Sequence, residues 1–515
     1  MLNWMGTPKA AGNLSLLRDP HVVIAALSVD DAVAAVAQIT EALEALNSTE
    51  TLRLEERYDD IYLLDAATVE RTHLLLREYL NTSRHVKQRE DELWNGAYHC
   101  WRALAAAYAI CVRQYAEDPA ATAGFGKLAH VAVARSMRAL RRQLQWLRIR
   151  YTAPVPAIWA GLAQLYAYIE PQDIAAEMLI YPGQTTTIQR EFLKALVQSA
   201  LSCENLQPPE QDLATFIVSR YAPDFVLSKQ PQPGCTHWFD LKHPQPPSLL
   251  SAAPAAGADL RYFGPGAAAA SVTQAVRTIE ETGRVPADLG FKYEIDLPFL
   301  TPVISQIHRD WSGQTRERAH EREKTNARIT VVPGFERMLN VLAQAEADPF
   351  DFTEKANVES WVVHDISATG FGAVLPAISG DWVSVGSVAG IESDVAGEWS
   401  VAMVRRARRL DDGQLQIGMQ VLSRNVQPVR VMREDASGKD NRVTQRMPID
   451  TAILLTPEAA RQPSVELLVT DAALYESGNV HMLLGDVALI LQFSSVLEKN
   501  SACARLGFTV LGMAA

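Results

Sequence analysis

The chain has 515 residues, which is too long for one hydrophobic core and predicts roughly three domains. With 48% hydrophobic and 21% charged residues, the composition is that of a globular protein and excludes wholesale disorder. The formal net charge of −12 argues against a nucleic-acid polymer as the main partner, although a small anion can still bind a local basic cluster.

The sequence contains no signal for export, membrane insertion or metal binding. Its first residues lack a basic region followed by a long apolar run, and no stretch approaches 18 apolar residues. The five cysteines are scattered without a CxxC pair, which predicts reduced thiols. No further ligand at suitable spacing joins His237, Asp240 and His243. We therefore expect a cytoplasmic protein without a membrane span or a metal site.

Residues 1–224 are predicted to form an all-α domain, either a bundle or an irregular solenoid. The run Ser28–Asp31 is a plausible N-cap, and the apolar residues after it recur at three and four spacing. The predicted helices are roughly Ala32–Leu46, Asp65–Asn81, Val86–Tyr115, Lys127–Arg150, Ala157–Tyr168, Thr187–Leu206 and Glu210–Tyr221.

Residues 225–311 differ in composition and predict a small mixed α/β module that links the helical domain to the C-terminal part of the chain. Proline-rich breakers flank a predicted strand at Thr236–Lys242. A second short strand is expected at Leu260–Phe263, and a helix at Ala267–Glu281.

Residues 312–435 predict an antiparallel β-barrel or small sandwich, because short strand-like runs alternate with turn signals. A helical insertion is expected at Met338–Glu359, and residues 436–515 predict a further β-rich segment. The fold class is therefore multidomain α+β. The strands expected in the barrel are Arg328–Pro333, Ser360–Asp365, Ala373–Leu375, Trp382–Ile391, Trp399–Arg408 and Leu415–Val421.

A basic cluster precedes the barrel and carries Arg318 and Arg322 four residues apart. Arginine presents a planar fork of donors that suits phosphate oxygens and the O6/N7 edge of guanine. Arg316 and Arg328 are alternative donors, but only Arg322 keeps the four-residue step with Arg318. Because Glu317 and Glu321 alternate with the arginines, a solvated helix face is the competing interpretation.

The segment from Asp365 to Gly370 reads Asp-Ile-Ser-Ala-Thr-Gly at the end of a predicted strand. Strand alternation puts Asp365 and Ser367 on one face. There, a carboxylate can accept hydrogen bonds from guanine, and a hydroxyl can complete the set. Gly370 permits a tight turn or a close approach of the backbone. A serine-stabilised turn between two strands is the alternative.

A second basic run, Arg405–Arg409, lies on another predicted strand. Alternation puts Arg406 and Arg408 on one face and Arg405 and Arg409 on the other. One set could face a ligand; the alternative is an exposed strand face balanced by nearby acidic residues.

An RxxxR pair followed by DxSxxG resembles the PilZ domain, a β-barrel receptor for the bacterial second messenger cyclic di-GMP. The resemblance covers roughly residues 312–430, and the whole chain resembles large proteobacterial proteins with a helical domain before a PilZ domain. It implies that Arg318 and Arg322 grip phosphates and guanine edges, and that Asp365, Ser367 and Gly370 line the opposite side. Signal transduction in motility, surface polysaccharide or biofilm formation is implied in the same way.

The expected function is a receptor or adaptor that binds cyclic di-GMP and does no chemistry on it. Its helical domain would pass the signal to an unidentified protein partner. The alternative is a helical interaction scaffold whose barrel has lost its ligand. An enzyme is the least favoured class, because no catalytic constellation such as GxSxG or HExxH occurs.

Overall fold

The structure is a computed structural model that describes residues 19–81, 87–118, 123–181, 184–254, 257–312, 321–347, 358–375, 383–392, 399–410, 412–424, 426–434, 446–455, 464–470, 472–475, 479–484, 487–499 and 503–513. The chain divides into two compact units. The first comprises Met1–Cys203 and Pro208–Thr315, and the second comprises Glu204–Gln207 and Arg316–Ala515. The predicted α+β class is confirmed, with helices dominating the first unit and antiparallel strands the second.

The predicted helices of the first unit are present, but α3 begins at Leu54 instead of Asp65 and α7 ends at Ala200 instead of Leu206. Asp31 is the N-cap of the second helix, and its Oδ1 accepts from the amides of Val33 and Ala34 at 3.0 Å. A short first helix and a two-stranded hairpin were not predicted. The elements are α1 Pro20–Ala25, α2 Ala32–Ser48, α3 Leu54–Asn81, α4 Lys87–Glu117, α5 Gly126–Ile149, α6 Pro156–Ile169, β1 Leu179–Tyr181, β2 Gln184–Thr186, α7 Ile188–Ala200 and α8 Pro208–Tyr221.

A buried ion cluster joins α3, α4 and α5. The carboxylate of Asp65 accepts from Arg135 Nη1 at 2.5 Å, from Arg138 Nη2 at 2.5 Å and from the Tyr108 hydroxyl at 2.8 Å. Burial, reinforced by the negative charge of Asp65, raises the pKa of Tyr108 well above its ordinary value. Tyr108 therefore remains a hydrogen-bond donor to Asp65, and the cluster ties three helices together.

A second buried cluster centres on Glu191 in α7. Its Oε1 accepts from Lys194 Nζ at 2.7 Å and from Thr186 Oγ1 at 2.8 Å, and Arg141 lies 3.8 Å from Oε2. Burial opposes ionisation of this carboxyl, but Lys194 and Arg141 outweigh it and lower the pKa of Glu191. The cluster links α7 to α5 and to the hairpin of β1 and β2.

The mixed module predicted at residues 225–311 belongs to the same compact unit as the helices. Its four strands form an antiparallel sheet in the order β3, β6, β4, β5. One helix comes after the sheet at the predicted place, whereas the next helix was not predicted. The elements are β3 Val226–Ser228, β4 His237–Asp240, β5 Ser248–Leu249, β6 Leu260–Gly264, α9 Ala268–Thr282 and α10 Leu297–Trp311.

The second unit begins with a closed six-stranded antiparallel barrel. Its strands are hydrogen-bonded in the order β7, β8, β9, β12, β11, β10, and β10 closes onto β7. Of the strand expected at 382–391, the described residues 383–387 are not in a strand, and β10 begins only at Val388. The reason is that Gly386 adopts a positive φ of 88° in a turn. The elements are β7 Glu323–Pro333, α11 Phe335–Ala347, β8 Glu359–Ser367, β9 Gly370–Leu375, β10 Val388–Glu392, β11 Trp399–Arg409 and β12 Leu415–Ser423.

Two sequence interpretations change at the start of this barrel. Strand β7 begins five residues before the predicted Arg328, so Arg322 directly precedes the strand. The interpretation of this run as a helix face is therefore wrong for Glu323 and Lys324, which are strand residues. The insertion expected at Met338–Glu359 is helical up to Ala347 as part of α11, residues 348–357 lie outside the described part of the chain, and Glu359 already belongs to β8.

The C-terminal β-rich segment is a second closed six-stranded barrel. Its strands pair in the order β13, β14, β15, β18, β17, β16, which repeats the order of the first barrel strand for strand. The four-part domain division stays a prediction, but a boundary after residue 435 separates β13 from the barrel it belongs to. The elements are β13 Val426–Glu434, β14 Arg446–Leu455, β15 Ser464–Val469, β16 Asn479–Leu484, β17 Val487–Lys499 and β18 Ala504–Met513.

The two barrels share a hydrophobic cluster in which α11 takes part. The helix contributes Phe335, Met338 and Leu342, and both barrels contribute buried strand residues. An ion pair adds to this contact, since Arg405 of β11 donates from Nη2 to Glu498 Oε2 of β17 at 2.9 Å. The strand members are Val332, Val388, Val401, Met403, Ile453, Leu455 and Leu468.

No described helix combines the length and the apolar character needed to cross a bilayer. The five cysteines are all described, and all are reduced and buried. Cys100 and Cys111 are fully buried in α4, as expected for small core residues.

Candidate functional site

The segment from Asp365 to Gly370 forms the hairpin between β8 and β9. Ser367 and Gly370 are the last paired residues, and Ala368 and Thr369 form the turn. The Ser367 hydroxyl donates to the Gly370 carbonyl at 3.0 Å. A Cβ on residue 370 would come 2.1 Å from the carbonyl oxygen of Met419 on β12. The fold therefore requires glycine at this position, because a backbone atom occupies the space.

Asp365 lies at a β-bulge, where His364 and Asp365 together oppose Gly372 of β9. The carboxylate and the imidazole both lie over Gly372. His364 Nδ1 is 3.4 Å from Asp365 Oδ2 without hydrogen-bond geometry, and Nε2 is 3.2 Å from Gln416 Nε2. The bulge thus turns both side chains to the outer face of the barrel, away from the buried Val363.

Arg322 reaches this carboxylate across the strand pair. Its Nη1 donates to Asp365 Oδ1 at 2.8 Å, and its side chain is 48% exposed. Lys324 of β7 is paired in register with Asp365 and is exposed, so a second cation lies near the carboxylate that Arg322 contacts from just before the strand. The structure therefore brings Arg322 close to Asp365, which lies with Ser367 and Gly370 at the turn end of one hairpin.

Arg318, the other arginine of the predicted pair, lies outside the described residues, and its role stays a prediction.

One further cation at the hairpin was missed by sequence reasoning. Arg424, just after β12, donates from Nη2 to the carbonyl of Ala368 in the turn at 3.1 Å. It is exposed and lies 56 residues after Ala368, so no local motif connects the two. Only the pairing of β9 with β12 brings them together.

The second basic run lies on β11, three strands from β8 in the barrel order. A bulge between Val404 and Arg406 interrupts the alternation, so Arg405 and Arg406 both point away from the buried core. The expected opposite orientation of these two residues is wrong for this reason. Arg405 also donates to Gln420 at 2.8 Å, and Arg406 lies 2.7 Å from Glu204 within the same unit.

Within the described part of the chain, no group of three or more His, Cys, Asp or Glu side chains could hold a metal ion. The hairpin from Asp365 to Gly370 offers one carboxylate and two hydroxyls, and cationic side chains from other segments lie beside it. Such a set suits an organic anion that also carries hydrogen-bond donors, such as a guanine nucleotide.

Residues 21–232 match a family model. Its description is the N-terminal domain of the cyclic-di-GMP receptor FimW. The matched region covers the helices α1–α8 and less than half of the chain, and it stops before the two barrels. The description indicates a cyclic-di-GMP receptor. No curated protein and no solved structure matches the chain significantly.

Proposed function

We propose that the chain is a cyclic-di-GMP receptor whose first barrel binds the ligand at the hairpin of β8 and β9. The observation that carries the proposal is the contact of Arg322 with Asp365 beside Ser367 and Gly370. The family match supports the same ligand from a different part of the chain, the helices at residues 21–232. The resemblance of the RxxxR and DxSxxG motifs to PilZ domains is a third support.

The chemistry of the ligand fits these groups. Cyclic di-GMP carries two phosphates and two guanines, so it offers anionic oxygens together with N1–H and N2–H₂ donors. The Arg322 guanidinium can donate to a phosphate or to guanine O6 and N7. The Asp365 carboxylate can accept from guanine N1–H and N2–H₂. Because Ser367 donates its proton to Gly370, its oxygen would meet the ligand as an acceptor.

Binding requires the ion pair between Arg322 and Asp365 to open or to rearrange. Both side chains are partly exposed, at 48% and 25%, so the pair stabilises the ligand-free barrel by only about 0–1 kcal/mol. Micromolar binding releases on the order of 8 kcal/mol. The ligand can therefore replace this contact at a small cost, and the pair keeps both side chains in place beforehand.

The experiment is titration calorimetry of the full chain with cyclic di-GMP. Arg322→Ala should weaken binding by roughly 2–5 kcal/mol, because ligand charge is left unpaired. Arg328→Ala is the matched control, since Arg328 is an exposed arginine of β7, the strand that follows Arg322. Cyclic di-AMP should bind more weakly to wild type because it lacks the guanine donors and O6. Equal binding by wild type and Arg322→Ala would refute the site, and a loss confined to Arg328→Ala would move it along β7.

In this proposal the first unit, which contains the helices α1–α8, transmits the effect of ligand binding to a protein partner. The ligand itself would not be chemically changed. Recovery of unchanged cyclic di-GMP after prolonged incubation with the protein is the expected result.

The second candidate function is a helical interaction scaffold with a barrel that binds no ligand. It is favoured by the fact that Asp365 and Ser367 are already hydrogen-bonded within the protein. Wild type that captures a partner through its helices but shows no heat with cyclic di-GMP would support this alternative.

A further inference from the structure

Gly372 lies outside the DxSxxG motif, and the Asp365 carboxylate lies directly over it, in the space that a side chain at 372 would occupy. A Cβ on residue 372 would come 2.8 Å from Asp365 Oδ2, 2.9 Å from Oδ1 and 2.4 Å from His364 Cε1. These distances are shorter than van der Waals contact, so any side chain at 372 displaces both neighbours. We propose that Gly372 is a positioning residue: because it has no side chain, it leaves the space in which the Asp365 carboxylate takes its ligand-binding orientation. This proposal rests on the proposed function of the hairpin.

The neighbouring glycines have different requirements. At Gly370 the Met419 backbone oxygen leaves no space for a side chain, so this glycine is required for the fold of the hairpin. Gly418, the partner of Gly372 on β12, would meet only Arg406 Cβ at an ordinary 3.5 Å. Gly372 is thus distinguished by what crowds it, which is a carboxylate and an imidazole rather than backbone.

Strand β15 of the second barrel takes the place of β9 in the strand order and carries a long side chain beside a glycine. Register pairs Glu466 with Gly507 there, as Gly372 pairs with Gly418 in the first barrel. On its other side Glu466 is paired with Leu455 of β14. The Glu466 side chain accepts from Arg505 Nε at 2.7 Å. A side chain opposite a strand glycine is thus compatible with this type of barrel, and the crowding at 372 comes from the Asp365 and His364 side chains.

An alanine at 372 requires the Asp365 carboxylate and the His364 ring to shift, because their end atoms lie within 3.0 Å of the added Cβ. Arg322 then loses the geometry of its 2.8 Å contact, because Oδ1 is one of the crowded atoms. A ligand that needs Asp365 as an acceptor meets a displaced oxygen. Gly372→Ala should therefore weaken cyclic-di-GMP binding at least tenfold while the barrel stays folded.

The experiment compares calorimetric binding by wild type, Gly372→Ala, His364→Ala and the double variant His364→Ala/Gly372→Ala. Gly507→Ala is the matched control, because Gly507 is a strand glycine of the second barrel whose Cβ would meet nothing closer than 3.6 Å. The tenfold loss should persist in the His364→Ala background and be absent in Gly507→Ala. Folded Gly372→Ala that binds like wild type would overturn the proposal. So would a loss that vanishes once His364 is removed, since His364 and not Asp365 would then be the displaced group.

A second measurement needs no ligand. Gly372→Ala should lower the unfolding temperature in wild type but not in a His364→Ala/Asp365→Ala background, where the crowding atoms are gone. Wild type that binds no cyclic di-GMP would refute the proposed function, and this stability comparison would still decide the steric part. An equal destabilisation in both backgrounds would show that Gly372 serves the strand alone.

Discussion

Replacement of Asp65 by asparagine tests how the helical unit, the part that matches the receptor family, is held together. Asp65 is 1% exposed and is the acceptor for two guanidinium groups and one hydroxyl. The substitution removes the counter-charge from Arg135 and Arg138, both buried or nearly so. Breaking a buried ion pair from one side costs about 3–5 kcal/mol, because the remaining charge loses its counter-charge in a medium of low polarity.

This cost is a large fraction of the 5–15 kcal/mol that stabilises a typical domain. Asp65→Asn should therefore move the helical unfolding transition to much lower urea concentration, measured by far-UV circular dichroism. Tyr108→Phe should cost less, about 1.5–3 kcal/mol, because it removes a hydroxyl that donates to Asp65 and accepts from Arg135 but leaves the ion pairs intact.

Glu78→Gln is the matched control for the Asp65 variant. Glu78 of α3 accepts from Arg89 of α4 at 2.6 Å, but the two side chains are 40% and 35% exposed. Solvent compensates for the lost charge there, so the change should cost less than about 1 kcal/mol. A loss below about 1 kcal/mol in Asp65→Asn, or equal losses in both variants, would refute the reasoning that burial makes the Asp65 cluster costly to break.

Two further predictions concern the barrel contact and the buried thiols. A double-mutant cycle of Arg405→Ala and Glu498→Ala should give a coupling energy of about 0.5–1 kcal/mol in urea unfolding, since both side chains are one-third exposed. A coupling energy of zero would contradict the contact. Burial raises the pKa of Cys100 to about 11 and of Cys111 to about 12. From about pH 9 to 11 the unfolded chain loses thiol protons that the folded chain retains, so the free energy of unfolding should fall with rising pH. The slope should be shallower in Cys100→Ala/Cys111→Ala, and an unchanged slope would argue against these shifts.

Local pattern was enough to predict most elements and the residues of the β8–β9 hairpin. The helices α2 to α8 were recovered because their apolar spacing and caps are properties of consecutive residues, as the Asp31 cap shows. Asp365, Ser367 and Gly370 could be found for the same reason, since one tight hairpin holds all three. Strand β13, in contrast, was not predicted, and with it the closure of a second barrel was missed.

The sequence by itself determined the helical periodicity, the turn chemistry of the hairpin and the charge of the groups near it. Tertiary structure alone decided that Arg322 and Arg424 meet at this hairpin, because strand pairing across dozens of residues brings them there. It also decided the bulge that turns Asp365 onto Gly372, since a bulge depends on the register of two strands and not on either one. The repeat of one strand order in two barrels emerges in the same way, from pairings that local sequence does not contain.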